Sequence, residues 1–437
     1  MNVVIAIDSF KGSMTSLEAG ESASAGIRRI YPDADITIRP LADGGEGTVD
    51  ALTLGCGGTR TQVCVTGPLE KPVLCSYGIL DAGKTAVIEM SGAAGITLLS
   101  ETERNPLYTT TYGVGEVIRD AIARGCRHFI IGIGGSATND GGIGMLQALG
   151  FDLLDQEGIP VRHGALGLRD LAVISDSHVL PELKECTFRI ACDVTNPLCG
   201  PQGCSAVFGP QKGADSAMIQ QMDQWLSSYA ALAGKSFPET NPAHAGAGAA
   251  GGLGFAFLTF FHATLESGVN IILEETHLSD YIKNADIVIG CDGAVIRNIR
   301  TGEILYENHL SSETCHKTFE ICKKYGLQYY VFAKDELVSD DPQNERFLIH
   351  QKFNQTVEED EEIPMRIVDD LNEYVKEHII YKIVVSHNDK NYLDKVAEVV
   401  KKETDADAIR SGKKVLAVKA MGVSKAEAIK KLAQKLG

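Results

Sequence analysis

The stretch 129–149 constrains the fold more than any other. An apolar run at 129–133 breaks into Gly134-Gly135-Ser136-Ala137-Thr138-Asn139-Asp140-Gly141-Gly142 and resumes with helical periodicity to Leu149. A buried strand that ends in a glycine-rich loop and opens a helix is the repeating unit of α/β folds. The same alternation recurs at 3–7 followed by 16–30, and at 36–38 followed by 47–54. These repeats predict an α/β architecture with a largely parallel sheet. Residues 61–80 and 85–89 read as further strands joined by turn residues, so a mixed sheet is expected there, within two α/β lobes.

Composition divides the chain near Gly290. Of 45 glycines, 39 precede position 291, while the charged fraction rises from about 17% before it to about 33% after it. Glycine-rich loops that approach ligands closely are therefore confined to residues 1–290, and 291–437 reads as a separate unit. A net charge of −17 disfavours nucleic acid as a partner. No run of about 18 apolar residues is present, so a membrane-spanning helix is not expected. The opening MNVVIAIDSF lacks a basic n-region, which predicts a cytoplasmic protein. Eleven cysteines without a CxxC pair read as reduced thiols.

Four sets of loops carry candidate chemistry. Asp8, Ser9 and Lys11 follow the first strand, where a carboxylate can hold a cation or hydroxyl and a lysine can meet a phosphate; the other reading is a helix cap with a solvated lysine. Asp43 and Glu46, three apart among Gly44, Gly45 and Gly47, favour cation binding over a plain turn, which needs one glycine. The loop from Gly134 to Gly142 fits neither the Walker nor the Rossmann spacing, yet it offers backbone donors to an anion. Asp193 and Asn196 end a strand at 188–192, with Lys212 and the run 245–254 downstream. An Asx-turn before Pro197 accounts for the first pair equally well, and close helix packing accounts for the glycine run. His128, His163 and His244 have no spacing suited to a metal or a triad.

Taken together these motifs resemble the bacterial type I glycerate kinases: DSFKGS at 8–13, PLADGGEGT at 40–48, GIGGSATNDGG at 132–142, DVTNPL at 193–198, FGPQKGA at 208–214 and GAGAAGGLG at 246–254. The resemblance implies ATP- and Mg²⁺-dependent phosphorylation of D-glycerate to 2-phosphoglycerate. It also implies a two-lobed fold with a discontinuous chain path, one lobe flavodoxin-like and the other restriction-endonuclease-like. It stops near Gly290, where the family's E-G-R-x-D-x-Q-T type block is missing. From there the chain resembles the α+β cap of Cof-type HAD phosphatases, from Cys291-Asp292-Gly293-Ala294 to Gly422-Val423-Ser424-Lys425. That piece lacks the D-x-D-G-T nucleophile loop and the late G-D-x-x-N-D loop; Asp405-Ala406-Asp407 has only the spacing.

The expectation is therefore a kinase whose phosphoryl transfer rests on positioning and charge compensation. Asp193, Lys11 and Asp43 are the catalytic candidates, and Asp8, Ser9, Asn196 and Lys212 the substrate-binding ones. Gly134, Gly135, Ser136, Thr138, Asn139, Gly248 and Gly251 are assigned to the nucleotide, and Asp43, Glu46 and Asp140 to the metal. An impaired chimera that only binds ligand is the competing expectation. A phosphatase ranks behind both, for want of a nucleophile.

Overall fold

The computed structural model describes residues 2–7, 15–41, 47–283, 285–290, 294–298, 301–355, 362–387, 389–412, 414–424, 427–428, 430–431 and 434. Asp8, Ser9, Lys11, Asp43, Glu46 and Lys425 lie outside them. Contacts divide the chain into two compact units. One comprises Ile5–Ser24 and Thr37–Tyr281; the other comprises Met1–Val4, Ala25–Ile36 and Ile282–Gly437.

The first unit is built on a six-stranded sheet in the order Thr264–Glu266, Thr187–Ala191, His128–Gly132, Thr85–Glu89, Pro72–Leu80, Thr59–Thr66. The first four strands are parallel and the last two join antiparallel, so the sheet is mixed as the turn residues indicated. Period-two alternation covers both faces. Ile88, Phe129, Ile131 and Ile190 pack into one core with Val117, Ile118, Leu146, Leu253 and Phe257 from the helices Tyr112–Ala123, Ile143–Ala148 and Leu253–Phe261. Their neighbours Val87, Ile130 and Ala191 pack the other way, with Val49, Leu52, Ile271 and Ile272 from Thr48–Gly55 and Gly268–Glu275. Each such aliphatic or aromatic side chain contributes about 1.5–3 kcal/mol when fully buried. The helix Ser16–Ile30 starts on a capping box: Glu18 accepts from the Thr15 N–H and hydroxyl, and the Glu18 N–H donates back to Thr15 Oγ1.

Val3 pairs in parallel with Ile287, in a five-stranded sheet of order Ile304–Glu307, Val295–Asn298, Ile287–Gly290, Asn2–Ile7, Asp35–Pro40. The strand Ile287–Gly290, which ends at the composition step, thus pairs with the chain's first strand. A further six-stranded sheet has the order Met365–Ile367, Leu337–Ser339, Gln328–Ala333, Ile380–Ser386, Val415–Ala420, Ala406–Gly412. All its pairings are antiparallel except Leu337–Ser339 with Met365–Ile367. Tyr329, Val331, Ile383 and Val385 face Phe319, Val375, Val396 and Val400 of the helices, while Tyr330 and Val384 face Phe347. This is an α+β unit, as the cap-like reading expects. Asp405 begins no catalytic loop in it; its carboxylate accepts from the Thr314 hydroxyl, a bond that holds its pKa below the usual range.

Candidate functional site

Three adjacent parallel strands end level with one another: Glu89, Gly132 and Ala191 are register partners. Ligands of open α/β sheets bind at such carboxyl ends. The glycine loop leaves from the central strand of the three. Gly134 and Gly135 are exposed, and among the described residues no acceptor takes their N–H groups. Gly135 needs its φ of +72° to turn the chain back, and its carbonyl accepts from the Ile96 N–H at 2.8 Å.

Beyond Gly135 the loop sinks. Ser136 is 7% exposed, and Thr138, Asn139 and Asp140 are wholly buried. Four consecutive residues are each anchored by a different group. The Ala137 carbonyl accepts from the Thr109 hydroxyl at 2.9 Å, and the Thr138 carbonyl accepts from Lys212 Nζ at 2.6 Å. Asn139 Nδ2 donates to Ser205 Oγ at 2.8 Å. Asp140 Oδ2 accepts from the Thr111 N–H at 2.8 Å and hydroxyl at 2.9 Å, and Oδ1 accepts from the Gly142 N–H at 3.2 Å. Burial pushes the Asp140 carboxyl upward, opposed by these same donors. Lys212 is 1% exposed, and burial lowers its pKa to about 8, with Cys204 and Asp140 pulling the other way.

The second glycine run lies against this loop. A Cβ on Gly251, whose φ is +67°, would sit 2.1 Å from the Thr138 carbonyl oxygen, and the Gly251 carbonyl accepts from the Gly141 N–H at 2.9 Å. Gly248 donates its N–H to the Asn196 carbonyl at 2.9 Å, and a Cβ there would sit 2.2 Å from the Pro197 carbonyl oxygen. Both are buried, and both let backbones meet at distances that side chains forbid. Close packing thus calls for glycine at 248 and at 251, whatever their part in binding a nucleotide.

Asp193 follows the next strand and is exposed. Its Oδ1 accepts from Ser267 Oγ at 3.0 Å and from the Gly268 N–H at 3.2 Å, at the start of the helix Gly268–Glu275. Asn196, three residues on, donates from Nδ2 to the Gln202 carbonyl. On the other side Glu89 accepts from the Val49 N–H at 2.9 Å, in the first turn of the helix Thr48–Gly55. The chain leaving 42–46 is thereby fixed at the same strand ends. Leu41, which enters that loop, donates its N–H to the Ile7 carbonyl and accepts from Ser16 Oγ, both at 2.9 Å; Ile7 and Thr15 flank 8–14. The Val49 bond thus brings the exit of 42–46 to the end of the strand Thr85–Glu89, and the Leu41 bond joins the entries of the two loops; Asp8, Ser9, Lys11, Asp43 and Glu46 themselves are outside the described residues.

Residues 3–307 match the glycerate kinase family, about two-thirds of the chain. The chain belongs to the glycerate kinase family. It is 46% identical over 295 residues to a glycerate kinase of Haemophilus influenzae, covering 68% of this chain and 78% of that protein. Against the glycerate 2-kinase of Escherichia coli the identity is again 46% over 295 residues, covering 68% and 77%. A crystal structure from Salmonella typhimurium LT2, named for glycerate kinase 2, superposes with a TM-score of 0.64 at 46% identity, covering 65% of this chain and 76% of that one. Residues 270–437 match the haloacid dehalogenase-like hydrolases, so the two family matches share 270–307.

Several residues that hold this candidate site in place carried little signal in the sequence. Glu89 ends a strand like Asp193, and strand-end position was the available signal. The run Thr109-Thr110-Thr111 is wholly buried, and three hydroxyls before a helix were a legible sign of anchoring. Ser205 and Ser267 carried no local signal, because their partners lie 66 and 74 positions away. His128, His163 and His244 bond Thr187, Glu70 and a neighbouring carbonyl. Among the described residues no helix is long and apolar enough to cross a membrane.

Proposed function

We propose that the chain is a kinase transferring the γ-phosphoryl group of ATP to D-glycerate to form 2-phosphoglycerate, with residues 1–290 carrying the site and 291–437 an accessory. The observation that carries this reading is the glycine loop, exposed at Gly134 and Gly135 and anchored at every residue from Ala137 to Asp140. Exposed backbone N–H groups at the end of a central parallel strand suit phosphate oxygens, and a fixed loop loses no energy to reorganisation as charge moves. ATP, when bound, supplies the transferring group.

Asp193 is the residue suited to take the proton of the attacking hydroxyl. It is exposed beside the loop, and Ser267 and Gly268 fix one of its oxygens. Asn196 stands in the same turn to orient the substrate. Asp140 and Lys212 take different roles from those expected of them. A wholly buried carboxylate already holding three donors is a poor metal ligand, and a buried ammonium on a loop carbonyl is out of reach of a substrate. Among the described residues no group of three or more His, Cys, Asp or Glu is placed to hold a metal. The Mg²⁺ assignment therefore rests on Asp43 and Glu46, outside the described residues, and no step here is routed through it.

The test is Mg²⁺-dependent ADP release by the full-length chain with and without D-glycerate, with the product identified by ³¹P NMR. Glycerate-dependent release with a 2-phosphoglycerate signal is expected. Its absence from soluble, cooperatively folding protein would overturn the reading in favour of an impaired binder. The share of the relatives' length left uncovered, with 77–78% of each matched, is what gives that alternative substance.

A further inference from the structure

Lys212 is a fully buried cation, and its Nζ donates to a backbone carbonyl. Isolated buried charge is costly, and an apolar stem of similar volume would fill the same space without that cost. Burial draws its pKa down to about 8, while Asp140 and Cys204 hold it up, so the group remains mostly an ammonium at neutral pH. Its hydrogen bond goes to the backbone of the glycine loop, at the Thr138 carbonyl 2.6 Å away. Around that contact Thr138 Oγ1 and Asn139 Oδ1 are buried without a hydrogen-bond partner among the described residues. The charge-assisted bond thus holds the Thr138 peptide where the neighbouring Thr138 and Asn139 side-chain oxygens have no bond of their own.

We infer that Lys212 is a positioning residue: its buried ammonium fixes the Thr138 peptide from beneath and so sets the shape of the loop that presents the Gly134 and Gly135 N–H groups. The inference rests on the reading of that loop as the site of the ATP phosphates, and it differs from a direct contact with D-glycerate in what it makes sensitive. Loss of the anchor loosens the loop and weakens nucleotide binding, leaving the acceptor subsite near Asp193 intact.

Full-length K212M and K212R are compared with the parent protein. Three readouts are taken: hydrogen–deuterium exchange of the peptide spanning 134–142 without ligands, KM for ATP and D-glycerate separately, and the thermal midpoint. A charge-assisted hydrogen bond is worth enough to give about a tenfold or larger effect. K212M is expected to speed exchange in that peptide about tenfold and to raise KM for ATP by a similar factor, with KM for D-glycerate within about twofold of the parent. K212R keeps the cation and a donor, and is expected to recover part of both losses. An increase confined to KM for D-glycerate, with exchange unchanged, would mean that Lys212 meets the substrate and would overturn the proposal. Unchanged exchange and unchanged KM for ATP would overturn it as well. If K212M does not fold, K212R and K212Q decide on the same readouts. A parent protein without glycerate-dependent ADP release would sink the kinase reading alone, because the exchange measurement needs no turnover.

Discussion

Replacing Gly251 by alanine separates the two reasons for a glycine there. Its φ of +67° is strained for any side chain, and its missing Cβ leaves room for the backbone of Thr138 and Asn139, which a Cβ would approach to 2.1 and 2.6 Å. Gly57 provides the control: its φ is +69°, but nothing lies within 4 Å of an added Cβ. The left-handed conformation costs alanine about 1–2 kcal/mol, offset by about 0.4–1 kcal/mol from the less flexible unfolded chain, so G57A should lose about 0.5–1 kcal/mol. G251A carries the same loss plus an overpacking cost of about 1–3 kcal/mol, because the obstruction is backbone that cannot rotate away. A difference of about 2 kcal/mol, at a urea dependence of about 2 kcal/mol per molar, places the G251A midpoint about 1 M below that of G57A. Trp225, the sole tryptophan, lies in the helix Ser216–Ala233 and packs on the core of the same unit, so its fluorescence follows the relevant transition. Coincident midpoints for the two variants would refute the argument that Gly251 is needed for close backbone approach.

Arg189 bonds Glu266, Glu274 and Glu275 at 2.6–3.0 Å, so R189M should cost about 2 kcal/mol at pH 7 by leaving three acids together. The Arg189 bond holds Glu266 below its ordinary pKa, so the stabilisation is complete above the unfolded value, about 4.3, and is lost as pH falls through the lowered folded value; the gap between R189M and the parent should close in acid, as urea melts at pH 7 and pH 3.5 would show. D193N should reduce glycerate-dependent ADP release by about 10²–10⁴-fold with little change in thermal midpoint, and retained activity would remove Asp193 from the chemistry. T15A breaks the capping box of the helix Ser16–Ile30 and should cost about 1 kcal/mol, measured by urea melts; a T15S variant should recover most of it.

The strand–loop–helix alternation was readable because period-two and period-3.6 patterns are local. Residues 85–89 and 16–30 read as the strand and helix found there, and the turn residues between 61 and 80 foretold the antiparallel edge. Glycine content located the loop at 134–142 but did not separate its two halves. Exposure of Gly134 and burial of Asp140 are set by Thr111, Ser205 and Lys212, which arrive from distant elements. A carboxylate in a glycine loop looks the same in sequence whether it faces a ligand or a helix start. The parallel pairing of Val3 with Ile287 was likewise hidden, since strand pairing at that separation leaves no local trace.

That pairing has a consequence for the order in which the protein can be assembled. The strand Asn2–Ile7 has one sheet neighbour close by in the chain, Asp35–Pro40, and the other, Ile287–Gly290, far along it. At translation rates of roughly 5–20 residues per second, the intervening chain takes roughly 12–50 s to appear. Throughout that interval the edge of Asn2–Ile7 that pairs with Ile287–Gly290 stays open, while the six-stranded sheet, whose strands all lie before position 267, can already begin to condense. That open edge is among the last parts of the sheet to be paired, and a chaperone that shields unpaired strand edges of nascent chains would meet it there.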